Sequence, residues 1–455
     1  MFTGIGLALG LALVSMSEAR ASTYNVDTSS TSAMSLNAND GYCSLAEAVA
    51  SVNAGHSMYN CPDQDPSSTE HTIWLREAAG KPYASFHYVI SALTITTSRR
   101  VMISGLSGAP FIDSTGMTAA TGYSAFVIKA GAAAFFQHVN LTNIAGSAGG
   151  RLLENRGTLQ FYGITISKGD VTGSQHALGI GGALYNGPNA SITFAENSTF
   201  SGNKAKRGGA VYNDAGNINE LAVTISGNSA TMAGGGIFNI STTPAPGPST
   251  NGIISTTGLI LTGNSAKAGG GIFNRGTIDL NYSSITSNTA SGTGSNESCT
   301  GSSSCDGAGG GVVSAHKAGA FTRFSLSDSS TLSSNTASGP GGAIYNVGVL
   351  NLGGLTISSN HAQTGAALYV VGPTDGTGQY CSITGDNGSI YGPVTINNNT
   401  ATSPGFSIVA GGSTSLRKCI FSGLNEGFLT ASGNSSPNFC QSGTIDTDSS
   451  RCPQP

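Results

Sequence analysis

Gly208-Gly209-Ala210-Val211-Tyr212-Asn213 and Gly234-Gly235-Gly236-Ile237-Phe238-Asn239 are two copies of one motif, and its spacing decides the fold. The pattern stands again at Gly181-Gly182-Ala183-Leu184-Tyr185-Asn186, Gly269-Gly270-Gly271-Ile272-Phe273-Asn274 and Gly341-Gly342-Ala343-Ile344-Tyr345-Asn346. A decayed copy reads Gly309-Gly310-Gly311-Val312-Val313-Ser314, and a shortened one Gly365-Ala366-Ala367-Leu368-Tyr369. A second motif interleaves with the first, an apolar residue three places before an asparagine. It pairs Phe200 with Asn203, Ile225 with Asn228, Leu261 with Asn264, Ile285 with Asn288, Leu332 with Asn335, Ile357 with Asn360 and Ile396 with Asn399. Where nothing is inserted this asparagine recurs after 25, 24 and 25 residues: Asn203 to Asn228, Asn264 to Asn288, Asn335 to Asn360. Self-similarity at so short a period marks a solenoid, whose repeats bury their apolar faces only by stacking.

Between the motifs apolar residues alternate, as at Ile192 and Phe194, at Leu221, Val223 and Ile225, at Ile278 and Leu280, and at Leu350 and Leu352. A period of two is the strand signature. Each repeat is therefore expected to supply two or three short strands joined by Gly, Asn and Ser turns. Charged residues make up 9% of the chain, against about 25% in ordinary domains. Gly, Ser, Thr and Asn take their place. The expected fold is all-β: a single-stranded right-handed parallel β-helix, a pectin-lyase-like solenoid, with a small helix-containing N-terminal cap and a Cys-containing C-terminal cap.

The expected division is a signal peptide over 1–21, an N-terminal cap over 22–88, the β-helix over 89–414 and a Cys-rich cap over 415–455. Ile5 to Val14 is an apolar run too short to span a bilayer as a helix, and Ala19-Arg20-Ala21 before Ser22 has the small-x-small form of a cleavage site. Eight cysteines suit an oxidising compartment. Their local grouping suggests Cys43 with Cys61 and Cys299 with Cys305. Among Cys381, Cys419, Cys440 and Cys452 the preferred pairs are 381–419 and 440–452, with two other connectivities open. Ser44 followed by Glu47 is a capping-box arrangement, and Leu45, Ala48, Val49 and Val52 would share one face of a short capping helix.

Asn39-Asp40-Gly41-Tyr42-Cys43-Ser44-Leu45-Ala46-Glu47-Ala48-Val49, with Asn53 beyond, resembles the CSLREA domain of bacterial secreted β-helix proteins, with Ala46 where that motif has arginine. The interleaved glycine and asparagine motifs, over about residues 176–402, resemble the repeats of polymorphic outer-membrane proteins, and similar proteins carry a choice-of-anchor C-terminus. The resemblance implies the fold and export, and a place outside the cell or on the bacterial envelope. It implies no particular activity. No autotransporter barrel or anchor is evident in the sequence, which leaves attachment open.

Chemistry is sparse. The repeat-region acids, among them Glu196, Asp214, Glu220, Asp279, Glu297, Asp306, Asp328, Asp375 and Asp386, include no two adjacent or one apart. That argues against the paired carboxylates of a glycosidase. No histidine or cysteine stands at metal-ligand spacing, and no cofactor motif occurs. A net charge of −4 argues against nucleic acid. No catalytic residue is singled out. Two ligand-binding candidates remain. One is the aromatic column Tyr185, Tyr212, Phe238, Phe273, Tyr345 and Tyr369, facing opposite to the aliphatics beside it: either an outward ladder for sugar rings or a buried stack. The other is the basic corner Lys204, Lys206 and Arg207. The functional expectation is an adhesin or glycan- or surface-binding structural protein, with a polysaccharide lyase or glycosidase as the alternative. A purely structural envelope component stands as a third class. The partners expected are extracellular glycans or a cell surface, with no transmembrane span in the mature chain.

Overall fold

The structure, a computed structural model, describes residues 22–441 apart from 27–40, 63–64, 66–67, 76–86, 91, 106–108, 115–123, 144–149, 174–177, 220–221, 242–251, 301–302, 317–321, 372–380, 385–393, 403–407, 412–418, 423–428 and 433–439; for 87–89, 193–196, 300, 303, 381–384 and from 408 onward it describes the backbone alone. The proposed signal segment, Glu220, Leu221, Asp375, Asp386 and Cys452 lie outside the described residues.

The chain coils into a right-handed parallel β-helix. Among the described residues the strands form a 24-stranded sheet, a 12-stranded sheet and a 7-stranded sheet along the coil, plus a two-stranded hairpin. One coil shows why. After Gly269–Gly271 the chain runs as Ile272–Arg275 in the 12-stranded sheet. It then turns into Thr277–Asn281 and Ser284–Thr286, both in the wide sheet, and closes with Thr289–Ala290 in the narrow one. That is four short strands per regular coil rather than the two or three expected, because turns at Tyr282 and Ser287, both at positive φ, divide what reads as one strand. Along the coil, strands pair in parallel with their counterparts one coil away, mostly in unbroken register, as Ile237 with Ile272 and Phe238 with Phe273. Ile272, Ile278, Leu280 and Ile285 point inward and are buried.

The motif glycines are held there by the stack. Gly234 sits at φ 65°, a conformation that strains any residue with a Cβ. A Cβ on Gly235 would stand 2.3 Å from the carbonyl oxygen of Gly270 in the next coil. The asparagines face inward and are fully buried. Asn228 Nδ2 donates to Asn264 Oδ1 at 3.0 Å and to the carbonyl of Phe200 at 2.9 Å. The chain of such bonds continues through Asn288, Asn335, Asn360 and Asn399. A buried amide satisfied on both sides escapes the desolvation cost that would otherwise exclude it from a core.

At the N-terminal end the helix Leu45–Ala54 carries the expected capping box, with Ser44 and Glu47 bonded reciprocally. Leu45, Ala48, Val49 and Val52 join the interior core. Ala46 is also buried. The cap is stapled by the Cys43–Cys61 disulfide. The strand Ser22–Val26 pairs in parallel with Glu70–Leu75, and that strand with Arg100–Gly105, so the wide sheet reaches back to Ser22. At the other end strands continue to Cys440–Gln441. Register sets Cys381 opposite Cys419, but the side chains of the last four cysteines lie outside the described residues.

Candidate functional site

The strand after each glycine pair places aliphatic and asparagine inward and the aromatic outward, by simple alternation. Leu184, Val211, Ile237, Ile272 and Ile344 belong to the interior core. Asn155, Asn186, Asn213, Asn239 and Asn274 form an amide ladder, each link 2.8–2.9 Å. On the opposite face the rings stack: Tyr185 on Tyr212 at 6.1 Å between centroids, Tyr212 on Phe238 and Phe238 on Phe273 at 5.0 Å, and Tyr345 on Tyr369 at 5.3 Å.

The column faces outward from the coil, yet most of it is covered. Phe238 is 1% exposed and Phe273 0%, Tyr185 and Tyr345 are 7% exposed, and Tyr212 and Tyr369 are half-buried. The cover is the insertion before Gly309. Its short hairpin, Ser298–Thr300 with Ser303–Ser304, is closed by the Cys299–Cys305 disulfide. Both cysteines, with Ala308 and Ala315, join Phe238, Phe273, Val313 and Tyr345 in a second core outside the coil. The column is thus neither a solvent-facing ladder nor part of the coil interior.

Glu297 fastens this lid. It is buried, and its carboxylate accepts from Arg207 Nε and, at 2.7 Å, pairs with Arg275. Arg275 lies over the Phe273 ring at 5.0 Å and donates to the carbonyl of Ser298 at 2.8 Å. Burial lowers the Arg275 pKa, opposed by Glu297, and the guanidinium stays charged. Asp306 locks the base of the lid by accepting from the amides of Gly294 and Ser295 at 2.9 and 2.7 Å. Bonds from Ser295 and then Gly294 hold its pKa down at about 2. The basic corner thus divides. Arg207 is committed to the lid, Lys206 is half-buried and Lys204 is exposed.

At the upstream end of the column Arg151 covers the Tyr185 ring at 4.8 Å, and Arg156 stands 5.9 Å from it. Glu154 pairs with both, at 3.0 and 2.7 Å. Burial would raise the Glu154 pKa, but the bond from Arg156 and the charge of Arg151 outweigh it and lower it. Tyr185 donates to Asp214 at 2.6 Å. Burial, then Asp214, pushes its hydroxyl well above the ordinary tyrosine range. Burial pushes Tyr212 up to about 12. Both hydroxyls stay protonated, and that of Tyr185 serves as a donor, not a base.

Sequence reading did not single out Glu297, Arg275, Arg151 or Arg156. Glu297 lies in an insertion, outside the period, though the two cysteines beside it marked that loop. It also passed over a concavity of about 400 Å³ on the wide sheet, lined by Asp279, Asn281, Arg323, Ser325, Ser327 and Asn351 together with Leu326, Leu352 and Gly353. There Arg323 pairs with Asp279 across adjacent coils. Among the described residues no group of three or more His, Cys, Asp or Glu is placed to hold a metal ion, and no helix is long and apolar enough to cross a membrane.

Fold and repeat define a class, that of parallel β-helices built on glycine–asparagine coils. Residues 191–214 and 329–347 match the Chlamydia polymorphic membrane protein (Chlamydia_PMP) repeat. Each matched segment runs from the wide sheet through the narrow sheet to the 12-stranded one and ends one residue past a glycine motif, at Asp214 and Val347. The chain is similar in this respect to surface, outer-membrane-associated β-helix proteins of bacteria. No curated protein and no solved structure matches it.

Proposed function

We propose that the chain is a secreted or cell-surface β-helix that acts by contact, as an adhesin or a glycan- or surface-binding structural protein. The observation that carries this reading is the polymorphic-membrane-protein repeat on a long regular solenoid whose outer face is lined with hydroxyls. Thr224, Ser284, Thr331, Thr356 and Thr395 form one outward column of the wide sheet, interrupted at Ile260. Ser226, Thr262, Thr286, Ser333 and Ser358 form the next. Such a face is flat, polar and almost uncharged, suited to many weak contacts along its length. Of the aromatic column and basic corner, Tyr212, Tyr369 and Lys204 keep enough access to contribute. Beads coated with the full chain should adhere to host or neighbouring bacterial cells, and soluble chain should compete. Coated beads that adhere no better than albumin-coated ones overturn the reading.

One observation favours the alternative, a polysaccharide lyase or hydrolase: Asp279 and Arg323 place a carboxylate and a guanidinium together on adjacent coils. Their mutual pairing occupies the Asp279 carboxylate that a base would have to present to substrate. Turnover of pectin, alginate or chondroitin that disappears in Asp279→Asn would establish the enzyme and displace the adhesin.

A further inference from the structure

The concavity on the wide sheet is a built polar grid rather than a gap between loops. Strand register sets Asp279 beside Ser325 and Ser325 beside Asn351, and one step along the strands sets Asn281 beside Ser327. Neighbouring strands lie about 4.8 Å apart, so these side chains stand in two short rows across the coils. They orient one another. Ser327 donates to Asn281 Oδ1 at 2.6 Å, Asn351 Nδ2 donates to Ser325 at 3.3 Å, and Arg323 holds Asp279. Donors and acceptors are left over. Arg323 Nε is buried with no partner, and Asn281 Nδ2 and Asn351 Oδ1 make no side-chain bond among the described residues.

Tyr282 directly follows the lining residue Asn281, in the turn where the strand leaves the concavity. Its backbone N–H donates to the carbonyls of Ser327 and Asp328 at 3.3 and 3.2 Å. Its side chain is 62% exposed, among the most exposed large hydrophobic residues described. Its backbone is at φ 49°, a region that a bulky residue adopts only under strain. The equivalent turn uses Gly258 in the preceding coil, Asp328 in the next and Gly354 in the one after, so a bulky aromatic stands here alone among these four. A glycine would relieve the strain, yet an exposed tyrosine stands here. Strain kept at a surface position with no packing return points to function.

We infer that this concavity, with Tyr282 in the turn that leaves it, is a binding site for a neutral saccharide. The aromatic ring offers a face for the apolar C–H side of a pyranose, and the grid offers fixed donors and acceptors for its hydroxyls. Arg323 and Asp279 cancel each other's charge, and Asp328 adds a negative group beside Ser327 at 3.1 Å. A polyuronate or sulfated glycan finds no net positive charge to receive it. The inference rests on the surface-contact reading and gives it a particular place and sugar class.

The test uses the full chain and immobilised tetrasaccharides of β-linked glucose, galactose or N-acetylglucosamine, with tetragalacturonate as the acidic counterpart. The intact protein is expected to bind at least one neutral tetrasaccharide and to prefer it to tetragalacturonate. Tyr282→Gly should raise Kd at least tenfold while leaving Tm unchanged or about 1–2 °C higher, because strain is relieved. Asn281→Ala and Asn351→Ala, at outward positions, should each weaken binding several-fold with Tm unchanged. Neutral binding that all three variants retain overturns this site and leaves the surface-contact reading standing. Preference for tetragalacturonate overturns the neutral class. No binding to any neutral tetrasaccharide overturns the inference, while adhesion of coated beads separately decides the broader reading.

Discussion

Two ladders run along opposite faces of the same strands, and they are held by different forces. On the inner face Asn186, Asn213, Asn239 and Asn274 pass hydrogen bonds from coil to coil. On the outer face Tyr185, Tyr212, Phe238 and Phe273 stack ring on ring. Both are interrupted at the same coil, where Val313 and Ser314 replace aromatic and asparagine. The consequences differ. The outer ladder closes around the gap, because Val313 stays buried beside the two lid cysteines. The inner one does not: Ser314 Oγ and Asn346 Oδ1 are left buried without partners. Apolar burial is non-directional and accepts a substitute of another shape, whereas a buried amide accepts only a partner at the right distance and angle.

Replacing Asn239 with alanine strikes the inner ladder hardest. It removes the bonds to Asn274 Oδ1 and the carbonyl of Gly252 and takes from the Asn213 amide one of its two acceptors, so a loss of about 3 kcal/mol is expected. Phe238→Leu, on the outer face of the same strand, should cost about 1.5 kcal/mol, since an apolar side chain of similar reach remains. Denaturant unfolding of the two variants measures the contrast; equal losses would erase it.

The lid gives the next effect. Glu297→Gln keeps the shape but leaves Arg207 and Arg275 without their counter-charge in a buried setting, at an expected cost of about 2 kcal/mol. Protease cleavage within 291–308 should accelerate in the variant before global unfolding does. If the lid stays as resistant as in the parent, Glu297 is not its fastener. Ser314→Asn sharpens the comparison from the other side. An amide there would accept from Asn274 and donate to Asn346, and about 1 kcal/mol of added stability is expected, read as a raised unfolding midpoint.

The smallest effect is in acid. Asp306 is held to about 2, below the ordinary aspartate value of about 3.9. Its carboxylate therefore stabilises the folded lid fully above the unfolded value, and that contribution fades as pH falls through about 2. The lid should loosen across that window in the parent, and Asp306→Asn should flatten the dependence.

Repeating features were legible in the chain because each position recurs five to seven times under the same constraint. The glycine pair, the buried asparagines and inward aliphatics all follow from period and alternation. The capping box at Ser44 and the local disulfides 43–61 and 299–305 follow from short spacing. The four-strand coil was less visible, since the turn at Tyr282 uses no glycine and breaks no pattern of hydrophobicity.

What the sequence determined alone was the coil: its length, its inward and outward faces, and the residues that stack. Alternation reports which side of a strand a residue takes, and that is a local property. Whether an outward ring meets water depends on what else the chain brings there. Only the tertiary structure decided that Phe238 and Phe273 are covered, that Glu297 reaches Arg207 ninety residues earlier, and that Asp279 and Arg323 meet on one surface. Those contacts come from insertions and from coil stacking, which bring together residues far apart in sequence and outside any repeat.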